Sequence, residues 1–168
     1  GDRTVPLGVL AEISHLTKRN RVLVMDMLMD PGTSNLQASH SELTANVERI
    51  RSLWASYTAK PLAPQEQTLA QAFAEANTQY LDKGLLPAAQ ALVSGKYDDG
   101  SELYITQIRP QAAKVQAAVE QLVGLQVEVG AAEFGAAKAM SETIHVGMLA
   151  ATALALLGLW FVWFVIGL

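Results

Sequence analysis

The chain has 168 residues, enough for one domain and an appended segment, and its formal net charge is −4. It contains no cysteine, which excludes disulfide bonds, thiolate metal sites and cysteine catalysis. The mildly acidic balance gives no reason to expect nucleic acid as a partner. The first predicted element is a helix from about Val9 to Asp30, whose apolar part stops at Pro31-Gly32.

Three further helices are predicted between breaks that are rich in proline and glycine. The second starts near Ser39, which has capping-box spacing to Glu42, and runs to about Ala59. The third starts at Pro64, because proline suits the first turn of a helix. The fourth starts near Asp98, within the turn sequence GKYDDGSE, and has no clear stop signal.

Apolar residues recur every three or four positions in these segments, which is the spacing of one helix face. In the second segment they are Leu43, Val47, Ile50, Trp54 and Tyr57. In the fourth they are Ile108, Ala112, Val115, Val119, Leu122, Gln126 and Val129, beside a second stripe of Ala118, Leu125, Ala132 and Ala136. Two stripes on one helix indicate contact with its own bundle and with a partner chain. We therefore predict an all-α fold, an up-down-up-down antiparallel four-helix bundle with short connections.

Residues 146–168, with the sequence VGMLAATALALLGLWFVWFVIGL, carry no charged side chain. A helix of that length covers about 35 Å, and the hydrocarbon core of a bilayer is about 30 Å thick. The aromatic residues cluster towards one end of the stretch, as they do at a membrane interface. We therefore predict a water-soluble bundle at 1–145 and a transmembrane helix at 146–168, which contacts lipid and continues the fourth helix.

Sequence signals for catalysis and cofactor binding are missing. His15, His40 and His145 are far apart and share no helical face, so no metal or haem site is expected. The sequence has no phosphate-binding loop and no Gly-x-Ser-x-Gly nucleophile turn. We therefore expect a protein that is not an enzyme and that holds no cofactor.

Four stretches of the chain resemble, in order, the periplasmic four-helix-bundle sensor domain of methyl-accepting chemotaxis receptors, the family of the enteric aspartate and serine receptors. They are NRVLVMDMLMDPG, LWASY, KGLLPAAQAL and LYITQIRPQAAKVQAAVEQLVGLQ. The resemblance implies a homodimer in the bacterial inner membrane, a small-molecule site near the membrane-distal end, and signalling by a shift of the fourth helix to a downstream module. Some sensor histidine kinases use similar bundles, so a kinase sensor is an alternative.

One departure from the amino-acid receptors bears on the ligand. Those receptors bind the ligand carboxylate with arginines spaced along the first helix. When the MDPG turn is aligned with theirs, Val22 and Asp26 occupy two of these arginine positions, while Arg19 and Arg21 are shifted by a few residues. The resemblance therefore favours an organic acid over aspartate or serine.

Positive charge is concentrated at one depth of the predicted bundle. Counted from the end that holds the first and third turns, the segments 14–22, 46–54, 78–86 and 106–114 lie at the same level, and they contain eight of the 12 Lys and Arg residues. The eight, called the cationic belt below, are Lys18, Arg19, Arg21, Arg49, Arg51, Lys83, Arg109 and Lys114; the acids in these segments are Glu48 and Asp82.

Like charges at one level repel one another, which costs stability unless an anion lies among them. The guanidinium group matches the geometry of a carboxylate, so we predict a site for a di- or tricarboxylate. The residues expected to bind it are Asn20, Arg21, Arg19, Arg49, Tyr80, Thr106 and Arg109. Pro110 removes a backbone donor and frees the carbonyl of Thr106, which predicts a local distortion of the fourth helix.

A function of a different class stays open. In it the cations are an ordinary solvated surface, and the chain is a dimeric, membrane-anchored spacer without a ligand or a domain that contacts only another protein. The cationic belt favours a ligand sensor over a spacer, because a spacer does not need its cations at one depth.

Overall fold

The computed structural model describes residues 4–30 and 35–135 of the chain, which are helical apart from short connections and contain no strand. The chain divides into two compact units, Gly1–Gln126 and Val127–Leu168. In the second unit the described residues, 127–135, are helical. The predicted transmembrane segment 146–168 lies outside the described residues. None of the helices in the described part has the length and apolar character that crossing a membrane requires.

The first unit is built from four helices in chain order. The first helix is Thr4–Met29 and the second is Asn35–Thr58. The third helix consists of three consecutive segments, which are α-helical Pro64–Thr78, π-helical Gln79–Leu85 and α-helical Leu86–Val93. The fourth consists, within this unit, of α-helical Tyr97–Leu103, π-helical Tyr104–Ile108 and α-helical 109–126.

Side-chain contacts show that neighbouring helices run antiparallel. Arg19 contacts Glu42, whereas Arg49 contacts Glu12, so residue numbers rise along the first helix as they fall along the second. The same reversal relates the third helix to the fourth. The predicted all-α fold with four helices is confirmed.

The second helix starts earlier than its predicted capping box. It begins at Asn35, so Ser39 lies inside the helix. The carboxylate of Glu42 does not reach back to a helix end, because it is bound by Arg19. The predicted start of the third helix, at Pro64, is confirmed.

The core is formed by the predicted apolar stripes. The described members of the fourth-helix stripe are buried from Ile108 to Gln126. In the second helix Trp54 is only half-buried and packs on Phe73 of the third helix, with 4.3 Å between the ring centroids. In the second stripe of the fourth helix Ala118 and Leu125 are buried within the chain itself. That stripe therefore packs on its own bundle over this stretch.

Both π-helical segments are followed by a proline within two residues. Pro87 and Pro110 have no N–H, so each removes one i→i−4 hydrogen bond from its helix. In the fourth helix the N–H of Arg109 donates instead to the carbonyl of Tyr104, which is the five-residue step of a π-helix. The distortion predicted at Pro110 is confirmed, and the one before Pro87 was not predicted.

The connection between the third and fourth helices is a tight turn. Gly95 has φ +76°, a conformation that L side chains rarely adopt. The N–H of Lys96 donates to the carbonyl of Ala91 at 2.9 Å, and that of Gly95 to Leu92 at 3.0 Å, which closes the helix end as a Schellman motif. A Cβ on Gly100 would lie 2.6 Å from Cδ2 of Leu92, so the two helices approach closely there.

Candidate ligand-binding site

A small cleft lies between the first and fourth helices at the depth of the cationic belt. Its volume is about 180 Å³. It is lined by Thr17, Lys18, Arg21, Arg109, Ala112, Ala113 and Gln116. Three of these side chains are cations and none is acidic, so the cleft presents positive charge to whatever enters it.

Helical spacing explains why these residues share the cleft. Lys18 and Arg21 are three positions apart on the first helix and therefore lie on one face. Arg109, Ala113 and Gln116 follow one another by four and three positions on the fourth helix. The short side chain of Ala113 leaves space between the longer ones.

Arg21 and Arg109 are the two belt arginines that have no carboxylate partner among the described residues. Both side chains are exposed. They belong to different helices, so one ligand with two carboxylates can join the first helix to the fourth.

Arg19 and Arg49 are already bound to glutamates on the protein surface. Nε and Nη2 of Arg19 donate to both carboxylate oxygens of Glu42, at 2.7 and 2.9 Å. Arg49 binds Glu12 in the same bidentate way, with Nε and Nη2 donating to the two carboxylate oxygens at 2.8 and 3.2 Å. These hydrogen bonds lower the pKa of both glutamates from the ordinary value. The two pairs join the first helix to the second, away from the cleft lining.

Arg51 is the third belt arginine with acidic partners. It donates to Glu48 at 2.6 Å and to Asp82 at 2.8 Å. The excess positive charge of the belt is therefore smaller than the count along the sequence indicated. The difference comes from Glu12 and Glu42, which lie outside the counted segments but reach belt arginines on a neighbouring helix.

Asn20 and Tyr80 are buried side chains of the core and do not line the cleft. Asn20 is 0% exposed, and its carbonyl oxygen accepts a hydrogen bond from the amide of Asn46 at 2.9 Å. Tyr80 is also 0% exposed, and its hydroxyl donates to the backbone carbonyl of Thr17 at 3.1 Å. Burial raises the pKa of Tyr80, and the charge of Arg21 lowers it in part. Tyr80 thus supports the cleft through the backbone of a lining residue.

Thr106 lies in the π-helical segment of the fourth helix and is exposed. Its hydroxyl donates to the backbone carbonyl of Glu102 at 2.8 Å. Of the seven residues predicted to bind a ligand, the structure brings only Arg21 and Arg109 together in the cleft. Lys18, Thr17 and Gln116 join them, and the spacing of three between Lys18 and Arg21 is the signal that could have added Lys18.

Two larger grooves suit an anion less well. One of about 390 Å³, between the first and second helices, is lined by Asp26, Asp30 and Glu42 with a single cation, Arg19. Another of about 500 Å³ lies against Trp54 and has Lys60 as its charged residue. The smaller cleft therefore has the highest concentration of positive charge among these cavities.

Residues 1–140 match a family model described as a four helix bundle sensory module for signal transduction. The chain therefore belongs to this family, the sensory module of chemotaxis-type receptors. A search of the curated proteins and a search of the solved structures found no match.

Proposed function

We propose that this chain is the sensor of a chemotaxis-type receptor and that its cleft binds a small organic acid with two or three carboxylates. One observation carries the proposal. Arg21 and Arg109 come from two different helices, line one cleft with Lys18, and have no ion-pair partner among the described residues. Planar guanidinium groups in this arrangement favour a carboxylate ligand.

The lining favours an organic acid over an amino acid. An amino acid brings an ammonium group, which needs a carboxylate or several neutral acceptors. No acidic side chain lines the cleft, and the carbonyl oxygen of Gln116 already accepts from Ser14 at 3.4 Å. A volume of about 180 Å³ equals the liquid volume of roughly six water molecules, which suits an acid of a few carbon atoms.

The proposal includes a membrane setting. Residues 146–168 cross the bacterial inner membrane in contact with lipid, residues 1–145 lie in the periplasm, and a downstream module receives the signal. The uncharged composition of 146–168 supports the span. A homodimer is supported by two exposed apolar side chains, Val22 next to Arg21 and Ile105 four positions before Arg109, which are 46% and 58% exposed.

Signalling in this proposal comes from the position of the two arginines. An acid that bridges Arg21 and Arg109 binds best when the first and fourth helices stand at one relative height. If that height differs from the resting one, the ligand shifts the population of helix arrangements by its difference in affinity. The fourth helix, which runs from Tyr97 to residue 126 within the first unit, carries the shift. No catalytic step is part of the proposal.

A thermal-shift screen of the whole chain in detergent tests the proposal. Citrate, malate and succinate are compared with aspartate, serine and benzoate. An acid at 100 times its Kd adds about 2.7 kcal/mol, which corresponds to roughly 5–10 °C in Tm for a protein of this size. We expect one of the first three acids to give this shift, and Arg21→Ala and Arg109→Ala to abolish it.

Arg51→Gln is the matched control, because it removes a belt arginine that already has acidic partners. We expect this variant to keep the full ligand shift. If none of the acids changes Tm while salt alone raises it, the belt is ordinary repulsion. The spacer or protein-contact function then replaces the sensor of organic acids.

A further inference from the structure

A carboxylate is buried beyond the cationic belt, at the end of the bundle that holds the connection between the second and third helices. Glu66 is only 9% exposed and has no ion-pair partner among the described residues. Two neutral groups satisfy it instead. The hydroxyl of Tyr57 donates to its Oε1 at 2.7 Å, and Nε2 of Gln126 donates to the same oxygen at 2.5 Å. Gln126 also donates to the hydroxyl of Tyr57 at 3.0 Å.

The three residues come from three different helices. Tyr57 lies in the last turn of the second helix, Glu66 in the first turn of the third and Gln126 on the fourth. The second and third helices are already held together by their short connection. The cluster therefore bonds the fourth helix to that connection. Trp54 stacks on Tyr57 with 5.3 Å between the ring centroids, which limits the movement of the tyrosine.

Hydrogen bonds of this kind are sensitive to the axial position of a helix, whereas apolar packing is much less so. Displacing Gln126 along the helix axis by more than about 1 Å lengthens its bonds beyond useful range. The carboxylate of Glu66 would then be buried with one donor missing, which is unfavourable. Leu122, one turn earlier, makes non-directional contacts that tolerate such a shift better.

We propose that Tyr57, Glu66 and Gln126 form a latch that holds the fourth helix at one axial position. The latch makes that position a discrete state, because the bonds are either made or broken. The link between the latch and ligand binding rests on the function proposed above. An acid bound in the cleft would contact the same fourth helix, so it would either favour or oppose the axial position that the latch holds. The latch itself is a property of the fold and is measurable without any ligand.

Cysteine cross-linking in the whole chain measures the axial position, since the chain has no native cysteine. Ser14 and Gln116 face each other across the first and fourth helices, with 3.4 Å between Oγ and Oε1. The pair S14C/Q116C reports the native position, and S14C/A112C and S14C/E120C report positions one turn away. The measured quantity is the rate of disulfide formation of each displaced pair relative to the native pair.

We expect Gln126→Leu to raise the relative rate of one displaced pair by about tenfold, the change that loss of one hydrogen bond to a charged acceptor allows. Tyr57→Phe is a milder, isosteric variant that keeps the fold and should raise it less. Glu66→Gln retains the acceptor oxygen and should stay close to the parent chain. Leu122→Ala is the control, because it lowers stability without removing a polar bond, and it should leave the ratio unchanged.

A ratio that is unchanged in Gln126→Leu and Tyr57→Phe overturns the latch, even if both variants lower Tm, because the cluster is then only a stabilising contact. The outcome is separate from the ligand experiment. A chain that binds no acid but shows the changed ratio keeps the latch and loses the proposed ligand. A chain that binds citrate with an unchanged ratio keeps the ligand and loses the latch.

Discussion

Two levels of the bundle hold charge in opposite ways. The cationic belt is a group of exposed side chains, and three of its arginines are neutralised by acids at the surface. At the level of the connection between the second and third helices a single carboxylate, Glu66, is buried and held by neutral donors. Exposed charges stay in contact with solvent and can be neutralised by an acid on a neighbouring helix. The buried carboxylate of Glu66 acts on the groups around it, because it fixes the positions of the donors that bind it.

The energetic consequences of the two arrangements differ as well. An exposed ion pair contributes about 0–1 kcal/mol, because water screens it and long side chains must be ordered. A charge in the interior costs several kcal/mol to bring out of water, and its hydrogen bonds must offset that cost. Loss of a partner therefore matters far more at Glu66 than in the belt.

The largest expected effect comes from removing both donors of Glu66. The double variant Tyr57→Phe with Gln126→Leu should lose about 3–5 kcal/mol of unfolding free energy, because it leaves a buried carboxylate unsatisfied. Urea unfolding followed by circular dichroism measures the loss. Adding Glu66→Leu to this variant should recover most of it, since no buried charge then remains. A double variant as stable as the parent would show that water reaches Glu66.

An intermediate effect is expected at Tyr80, a buried polar group at the depth of the belt. Tyr80→Phe removes the hydrogen bond to the carbonyl of Thr17 and should cost about 1 kcal/mol. The pKa of Tyr80 is raised above 10.0, so its contribution to stability is complete below pH 10 and is lost as the pH rises further. Between pH 8 and 11 the unfolding free energies of Tyr80→Phe and of the parent chain should therefore approach each other as the pH rises.

The smallest effect is expected at the surface pair of Arg19 and Glu42. Because Arg19 lowers the pKa of Glu42, the pair stabilises the fold above about pH 4.5 and less as the pH falls through the lowered pKa. Glu42→Gln should change Tm little at pH 7, by the equivalent of at most about 1 kcal/mol, and less as the pH falls through the lowered pKa. A loss comparable to that of the Glu66 variants would erase the contrast between the two levels.

The sequence predicted the level of the belt but not the direction in which each side chain points. Counting residues from a turn gives depth along the axis, and by that count Asn20 and Arg21 are neighbours. On the helix they point to different sides, so Asn20 is buried and Arg21 lines the cleft. Arg49 is paired for a related reason, because Glu12 lies outside the counted segment and reaches it from the first helix.

The helices themselves followed from periodicity, and the confirmed stripe from Ile108 to Gln126 shows why. The spacing of apolar residues predicts which helix face is buried. A polar residue on that face must have a hydrogen-bond partner, but the spacing does not identify the partner. Gln126 stood on the predicted core stripe, but its partner Glu66 looked like an ordinary acid in the first turn of a helix, where the dipole favours it. Its burial depends on the packing of three helices and is not visible in one segment.

The two π-helical segments have a consequence for how relatives of this chain are compared. A π-helical turn contains about one residue more than an α-helical turn. A relative with one residue fewer within Gln79–Leu85 or Tyr104–Ile108 would have an unbroken α-helix there, with the same faces on both sides of the segment. Gaps in an alignment normally mark loops. At these two places a one-residue gap inside a helix would represent a real deletion. An alignment without that gap would assign every later residue of the helix to the wrong face.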